Sequence, residues 1–278
     1  MVEKKNKKER GSILIFIQVR DLHKDFKLGK EDINILKGIN LDIEQGEMVA
    51  LLGPSGSGKS TFLNAISGDT MVDSGSILIN GQDVTRQAAH KRAHLVARVF
   101  QDPMAGTCEA LSIEENMALA YNRGRKRGLK LALNSANRAL FRDKLAILKL
   151  GLENRLTDRM GLLSGGQRQA VSLLMASLQP SKILLLDEHT AALDPKTAAF
   201  VLELTDRIVA EGKLTAMMVT HSMRQALDHG QRTVMLHQGQ VVLDVAGEQR
   251  AGMDVPDLLH LFEQTRGEKV SDDALLLN

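Results

Sequence analysis

Apolar residues fall into two kinds of pattern along the chain. Short apolar runs have the length of buried strands, whereas longer segments with apolar residues every three or four positions have the spacing of helices. The short runs predict strands over 14–19, 38–43, 48–52, 95–100, 183–186, 216–220, 233–237 and 241–244. Because helical segments separate many of these strands, the alternation indicates an α/β core.

The middle third of the chain departs from this alternation and is predicted to be helical. Apolar spacing of three and four predicts helices over 112–121, 134–150 and 165–178, with a basic loop at 122–130 between the first two. Because strands resume afterwards, the stretch from about 104 to 179 is interpreted as a helical insertion into the core.

One large domain accounts for this pattern, and no Pro-rich or Ser-rich linker interrupts it. Its predicted bounds are 13–244. A flexible basic tail is predicted at 1–12, because the basic block there lacks the apolar core and cleavage site of a secretory signal; a nucleic-acid or lipid contact is the minor alternative. A C-terminal extension at 245–278 is expected to pack on the core through an amphipathic helix over 255–265.

Composition and charge narrow the class of protein. The 278 residues are 43% hydrophobic, which is enough for a sizeable core, but no apolar run approaches the roughly 18 residues of a membrane-spanning helix. The formal charge of +2 and the 3% aromatic content argue against a nucleic-acid-binding protein. A lone cysteine, Cys108, excludes an intramolecular disulfide and fits a reducing cytoplasm. Any membrane function is therefore expected to work through partners.

A glycine-rich segment follows the strand predicted at 48–52. Residues 53–61 read Gly-Pro-Ser-Gly-Ser-Gly-Lys-Ser-Thr, a complete G-x-x-x-x-G-K-S phosphate loop before a predicted helix. Glycines let successive amides turn inward around phosphate oxygens, and the helix adds the positive end of its dipole. Lys59 is expected to bridge the outer phosphates and Ser60 to ligate Mg²⁺. The loop predicts nucleotide binding.

Two carboxylates follow the strand predicted at 183–186. Asp187 suits a contact to Mg²⁺, and Glu188 can polarise an attacking water. Alone, such a pair is more typical of a solvated loop or the start of a helix. Ends of parallel strands are where open α/β sheets bind ligands, so the phosphate loop favours the catalytic interpretation.

Residues 163–167, Leu-Ser-Gly-Gly-Gln, precede the acidic strand by a short distance. This segment resembles the signature of ABC ATPases, and the order of motifs resembles that family from about 19 to 243. The resemblance implies a P-loop NTPase core, mainly a parallel sheet with flanking helices, plus a small N-terminal antiparallel β subdomain and an inserted helical subdomain. It also implies that the signature closes over the γ-phosphate held by a second, head-to-tail copy.

Other family motifs are matched in the expected order. Gln101 resembles the glutamine loop that touches Mg²⁺ and water, and Asp194 lies in a segment that resembles the loop lining the dimer seam. His221 resembles the switch histidine that contacts the γ-phosphate. Phe26 occupies the place of the aromatic ring that stacks on adenine, with burial in the small antiparallel sheet as an equal alternative.

The motifs and the resemblance together predict a set of site residues. The predicted catalytic residues are Glu188, His221, Gln101 and Lys59, and the predicted Mg²⁺ ligands are Ser60, Gln101 and Asp187. The predicted ATP contacts are Phe26, Gly53, Pro54, Ser55, Gly56, Ser57, Gly58, Lys59, Ser60, Thr61, Gln101, Ser164, Gly165, Gly166, Gln167, Asp194 and His221.

Two departures from the family pattern stand out. His189 follows Glu188 where the family commonly has Pro, and the signature continues as Ala170-Val-Ser without the usual arginines. Neither departure removes a catalytic group, and they suggest a less common branch. A metal site made by His189 and His221 is conceivable but not favoured, because two histidines without further clustered ligands usually do not form one.

The resemblance implies the ATPase subunit of a transporter, on the cytoplasmic face of the cell membrane. The expected partners are a second copy, a separate permease and an extracytoplasmic solute-binding protein, and nucleic acid is not expected. Import of a small solute such as an amino acid is favoured, because no permease is fused to the chain. A soluble ABC-type ATPase that works on an assembly or scaffold complex remains the alternative.

Overall fold

The computed structural model of the chain describes residues 15–29, 31–125 and 132–266. The predicted basic tail at 1–12 lies outside the described residues, as do most of the predicted basic loop and the end of the C-terminal extension. No helix in these described ranges is both long and apolar enough to cross a bilayer.

Strands and helices follow one another in the order expected of an α/β chain. The strands are β1 (Ile15–Leu28), β2 (Glu31–Glu44), β3 (Met48–Leu52), β4 (Ser74–Ile79), β5 (Gln82–Asp83), β6 (Val96–Val99), β7 (Ile183–Asp187), β8 (Ala216–Val219), β9 (Arg232–His237) and β10 (Gln240–Ala246). The helices are α1 (Lys59–Ser67), α2 (Ala89–Arg92), α3 (Ile113–Tyr121), α4 (Ser135–Ala146), α5 (Gly165–Ser177), α6 (Pro195–Gly212), α7 (Met223–His229) and α8 (Val255–Arg266). Short 3₁₀ turns occur at Leu152–Asn154, Met160–Leu162 and Gly247–Gln249.

Two sheets form the framework, as the predicted fold class requires. The smaller sheet has the order β2-β1-β4-β5 and is antiparallel throughout. The larger sheet has the order β10-β9-β3-β8-β7-β6, in which β10 is antiparallel to β9 and the other pairs are parallel. The parallel strands therefore present their carboxyl ends along one edge, which is where such sheets bind ligands.

The central strand β3 separates two hydrophobic cores. Val49 and Leu51 join the core that includes the small antiparallel sheet and α1. Met48, Ala50 and Leu52 join the opposite core, which includes the helical insertion, α6 and α8. Because successive side chains of a strand point to opposite faces, a strand buried on both faces is apolar at every position.

The helical insertion is a cluster of α3, α4 and α5 with its own aromatic contact. Tyr121 meets the fully buried Phe141 edge to face, with ring centroids 5.9 Å apart. Arg138 of α4 pairs with the buried Glu114 of α3 at 2.8 Å. These contacts connect consecutive helices of the insertion, α3 and α4.

Several predicted boundaries were wrong. β1 continues to Leu28 and β2 begins at Glu31, so both strands are longer than predicted. The prediction missed their outer parts because many residues there are charged and exposed. The helix predicted over 134–150 ends at Ala146, since Lys149 and Gly151 adopt left-handed conformations. β10 runs from Gln240 to Ala246, two residues past the end predicted for that strand at 244.

Candidate functional site

The phosphate-loop segment forms a tight turn between β3 and α1 that only glycine can make. Gly53 has a φ of +146°, and a side chain there would collide with the backbone oxygen of Leu236. Gly58 has a φ of +103°, and a Cβ would lie 3.1 Å from the backbone oxygen of Ile35. These positive φ values are open to glycine and strained for other residues, so a side chain at either position would disturb this turn.

Lys59 lies inside this turn. Its side chain donates hydrogen bonds from Nζ to the oxygens of Gly53 at 2.7 Å and Pro54 at 3.1 Å, and the residue is only 4% exposed. Burial lowers the pKa of Lys59, and the negative charges of Glu188 and Asp187 oppose that shift. An ammonium group buried beside two carboxylates is a natural partner for phosphate oxygens.

The loop fits a phosphate group in two further respects. The Ser57 hydroxyl is buried and has no hydrogen-bond partner among the described residues. The first turn of α1 contains no acidic residue, so no side chain of that turn opposes the positive end of the helix dipole. An unpartnered buried donor and a bare helix N-terminus are what an anion would satisfy.

Glu188 and His221 meet at the carboxyl ends of the neighbouring strands β7 and β8. His221 Nε2 lies 2.7 Å from Glu188 Oε1, and the Glu188 side chain is only 11% exposed. The Glu188 amide donates to the oxygen of Val219 at 3.1 Å. A carboxylate held by an imidazole near the phosphate loop can orient and deprotonate a water.

Asp187 is held by an arginine that sequence reasoning missed. Arg98 of β6 reaches Asp187 Oδ2 at 2.5 Å through Nη2. Its Nη1 donates to Asn64 Oδ1 at 2.7 Å and Asp69 Oδ2 at 3.0 Å, both beyond the phosphate loop. The available signal was a charged residue inside the apolar run at 95–100. Arg98 thus ties α1, β6 and β7 together under the site.

The predicted Mg²⁺ ligands come from three of these elements. Ser60 stands at the start of α1, Gln101 follows β6 and is exposed, and Asp187 ends β7. Hydroxyl, amide and carboxylate oxygens are the donors that Mg²⁺ prefers, so this set fits the ion.

The unfavoured metal site at His189 and His221 has no support. His189 Nε2 pairs with Thr205 Oγ1 at 2.9 Å, whereas His221 pairs with Glu188. No group of three or more His, Cys, Asp or Glu residues in the described part of the chain is arranged to hold a metal ion. Burial, with the charge of His229 as a second cause, lowers the pKa of His189 to about 4.

The signature segment begins helix α5 at the surface. Ser164 caps the helix in a reciprocal capping box: its hydroxyl accepts from the Gln167 amide at 3.3 Å, and Gln167 Oε1 accepts from the Ser164 amide at 3.2 Å. Ser164 and Gly165 are exposed, and the first turn of α5 carries no acidic residue. This end of α5 therefore presents a bare, positive helix start to solvent.

The first two turns of α5 contact other segments of the chain. Gln169 Nε2 donates to the oxygen of Phe100 at 3.0 Å, next to Gln101. Gly166 lies so close to Thr197 of α6 that a Cβ would overlap the threonine methyl. The signature helix thus touches both the glutamine segment and the first turn of α6.

Asp194 caps helix α6, as its sequence context predicts. Its carboxylate accepts from the Thr197 amide at 3.1 Å, and the hydrogen bonds from Thr197 lower the pKa of Asp194. The preceding Ala191 and Ala192 are exposed, as is Asp194. This segment is accessible for contact with another chain.

Phe26 lies on β1 and is not buried. Phe26 is 43% exposed, and Lys24 Nζ lies 5.2 Å from the centroid of its ring. Burial in the small sheet was the equal alternative to adenine stacking, and the exposure of the ring removes that alternative. A flat face remains open for a planar ligand.

Comparisons with known proteins agree with this arrangement. A family model described as ABC transporter matches residues 36–191. The tyrosine transport ATP-binding protein of Clostridioides difficile (strain R20291) is 45% identical over 248 residues, covering 89% of this chain and 98% of the relative. The thiamine import ATP-binding protein ThiQ of Salmonella choleraesuis (strain SC-B67) is 38% identical over 201 residues, covering 72% of this chain and 80% of the relative.

Solved structures give the same result. A dimeric ATP-binding cassette in a post-hydrolysis state, bound to ADP and Pi, superposes with a TM-score of 0.73 at 30% identity, over 85% of this chain and all of that chain. A dimeric bacterial ABC transporter cassette superposes with a TM-score of 0.72 at 31% identity, with the same coverage of both chains.

Proposed function

This chain belongs to the ABC transporter family of ATP hydrolases, and we propose that it energises import of a small solute, such as an amino acid, as a head-to-tail dimer. The importer assignment draws on relatives whose names specify tyrosine transport and thiamine import. In this proposal the dimer binds a separate integral-membrane permease on the cytoplasmic face of the membrane. An extracytoplasmic solute-binding protein completes the system.

One observation carries the proposal: the groups that suit nucleotide chemistry are divided between an enclosed cluster and an exposed helix start of the same chain. Glu188, His221 and Lys59 are gathered under the phosphate loop, with Glu188 and Asp187 close enough to act electrostatically on Lys59. The signature residue Ser164 is exposed, and its side chain is occupied only by its own capping box. A second copy in inverted orientation would bring that helix start to the phosphates.

The residues of this chain have distinct roles in the proposed hydrolysis. The amides of the phosphate loop and Lys59 hold the phosphates of ATP, and the buried Ser57 hydroxyl gains a partner. Glu188 accepts a proton from the attacking water, and His221 orients both the water and the Glu188 carboxylate.

Magnesium has a place in this scheme through Ser60, Gln101 and Asp187. When bound, the ion neutralises charge on the phosphate oxygens. Arg98 fixes the Asp187 carboxylate in one orientation beforehand. Gln101 lies next to Phe100, whose backbone oxygen accepts a hydrogen bond from the signature helix. A change at Gln101 on nucleotide binding can therefore be transmitted to the helical insertion.

The dipole and the exposure of α5 support the proposed dimer. Ser164 to Gln167 of one protomer close over the γ-phosphate held by the other, and the exposed segment at Asp194 lines the seam. Because ATP then contacts both protomers only in the closed state, it favours closure through differential affinity. Hydrolysis and release of products reopen the seam, and the permease follows that motion.

Substitution of Glu188 by Gln tests the catalytic assignment. The amide keeps the shape of the carboxylate but cannot accept a proton, so steady-state ATP turnover should fall by about a hundredfold or more. ATP binding should persist, and a closed dimer should accumulate with ATP in size-exclusion chromatography with light scattering. Turnover within twofold of the unsubstituted protein would refute the role of Glu188.

The partner assignment needs a different experiment. The tagged chain is purified from detergent-solubilised membranes of its host, and co-purifying proteins are identified by mass spectrometry. We expect a polytopic permease in stoichiometric amounts. Recovery of the chain solely with soluble scaffold proteins would overturn the transport proposal and favour an assembly ATPase.

A further inference from the structure

His189 is a fully buried histidine directly after Glu188. The residue is 2% exposed, and Nε2 lies 2.9 Å from Thr205 Oγ1 on α6. Thr205 is itself completely buried. No step of the proposed hydrolysis uses this pair, although it is attached to the residue that carries the reaction.

The direction of the hydrogen bonds can be assigned. Thr205 Oγ1 donates its only proton to the backbone oxygen of Val201 at 2.8 Å, one turn earlier in α6. The same oxygen must therefore accept from His189, which places a proton on Nε2. The result is a directed chain from the residue after Glu188 to the backbone of α6.

Glu188 needs such an anchor because its backbone is strained. It has a φ of +44°, a left-handed conformation that costs a residue with a side chain roughly 1–2 kcal/mol. Two backbone bonds help to hold it, from its amide to Val219 and from the Ala191 amide to its oxygen. A strained residue keeps its geometry only when its neighbours fix it, and His189 supplies a side-chain attachment to a long helix.

Helix α6 has a second contact that connects it to the signature. Thr197, in its first turn, lies against Gly166 of α5. Thr197 and Thr205 are eight residues apart, which corresponds to about 12 Å along a helix. One rigid helix therefore touches the signature near one end and the anchor of Glu188 two turns later.

We propose that His189 is a positioning residue that fixes Glu188 to α6 through Thr205, so that α6 couples the signature surface of a protomer to its own catalytic carboxylate. The inference rests on the proposed function, in which these two surfaces belong to different nucleotide sites of the dimer. Closure of the signature over the partner's nucleotide then biases the geometry of Glu188 in the same chain, and the two sites respond to each other. The coupling depends on the hydrogen bond between His189 and Thr205. A residue at 189 without a side-chain donor could not make it.

The competing explanation is that His189 merely fills the core. A buried side chain that only packs would affect the free energy of unfolding, and its loss would not change the rate constant of a folded enzyme selectively. A positioning residue affects kcat and cooperativity while leaving ATP affinity unchanged. These readouts separate the two explanations.

The test uses paired substitutions that remove or retain the hydrogen bond. Thr205→Val and His189→Met remove it with little change of volume, whereas Thr205→Ser and His189→Gln retain an acceptor and a donor. Thr215→Val is the matched control, because Thr215 is also buried and accepts a hydrogen bond, from the Gly46 amide at 2.9 Å, but lies before β8 at the opposite edge of the sheet. For each protein, kcat, the Hill coefficient for ATP, and the Kd of a fluorescent ATP analogue are measured.

Thr205→Val and His189→Met should each lower kcat by about tenfold and bring the Hill coefficient from above one towards one, with the nucleotide Kd within about twofold. Thr205→Ser and His189→Gln should recover most of kcat, and Thr215→Val should leave kcat unchanged. An unchanged kcat or Hill coefficient in Thr205→Val, or an equal loss in Thr215→Val, would overturn the inference. ATP turnover by Glu188→Gln is measured alongside. If Glu188→Gln still hydrolyses ATP, the proposed function itself has failed. If Glu188→Gln is inactive but Thr205→Val has normal kcat and a normal Hill coefficient, only the coupling is refuted.

Discussion

The phosphate-loop half of the site and the signature half are built in opposite ways. Lys59, Asp187 and Glu188 are largely enclosed, and each is held by neighbours within the chain. Ser164 stands at an exposed helix start whose hydrogen bonds run back into its own first turn. The phosphate-loop half is therefore organised by contacts within the chain, whereas the signature half exposes its helix start to solvent.

The two halves nevertheless share one electrostatic feature. Both α1 and α5 begin without an acidic residue in the first turn, so both present the positive end of a helix dipole. A helix start of this kind attracts phosphate wherever it can approach it. The difference lies in access: in the proposed dimer, α1 meets phosphate held by its own chain, whereas the exposed start of α5 meets phosphate held by the partner protomer.

The largest effect should come from the enclosed half. Lys59→Met removes a buried ammonium group while preserving most of its volume, and kcat/KM for ATP should fall by about a thousandfold, because both the bound and the transition-state phosphates lose a charged donor. The measurement is steady-state hydrolysis together with equilibrium binding of a fluorescent ATP analogue. A variant that binds ATP normally would contradict the assigned role of Lys59.

The exposed half should separate binding from turnover. Ser164→Ala should lower kcat by about a hundredfold, as loss of one oriented donor to a transition state does, while a single protomer still binds ATP. Ser112→Ala is the matched control, since Ser112 forms the same capping box with Glu115 at the start of α3. Both variants lose a cap worth about 1 kcal/mol of stability, so equal kcat values for the two would reduce Ser164 to a structural cap.

The enclosed half should also show a pH dependence of stability that the exposed half lacks. Burial lowers the pKa of His189 from 6.5 to about 4, so the unfolded chain binds a proton at a pH where the folded chain does not. The free energy of unfolding should be unaffected by this group above pH 6.5 and fall as the pH drops towards 4, by about 2 kcal/mol at pH 5. Urea unfolding at pH 7.5 and pH 5 should show this loss in the unsubstituted protein and not in His189→Met. An identical pH response of the two proteins would exclude a neutral buried His189.

The smallest effect should come from Phe26, the exposed residue predicted to stack on adenine. Phe26→Ala should raise the Kd for ATP about threefold to tenfold, because an exposed ring loses a stacking contact of about 1 kcal/mol. Phe26→Tyr keeps a flat face and should bind ATP as the unsubstituted protein does. Equal affinity of the alanine and tyrosine variants would remove Phe26 from the nucleotide site.

Local motifs explain what the sequence could predict. The phosphate loop requires glycines at positions whose φ values are positive, so nine consecutive residues are enough to predict its conformation. Glu188 and His221 could be placed together because each follows a buried strand, and parallel strands end at one edge. Pairings that depend on two distant segments gave no such signal, which is why the contact of Arg98 with Asp187 and that of His189 with Thr205 were not predicted.

Strand boundaries failed for a different reason. The outer parts of β1 and β2 pair at the rim of the small sheet, where Phe26 and Ile33 are exposed and charged residues alternate with them. Such strands are held by backbone hydrogen bonds and cross-strand contacts, so burial leaves no periodic pattern to detect. The parallel strands, apolar at nearly every position, were placed within one or two residues.

Complementation between two inactive variants tests most directly whether the site is shared between protomers. Glu188→Gln and Ser164→Arg are mixed without ATP to allow exchange, and hydrolysis is then measured against each variant alone. A mixed dimer has one site carrying both changes and one carrying neither, so random mixing should restore up to about a quarter of unsubstituted turnover. A mixture no more active than the average of its two components would contradict the account.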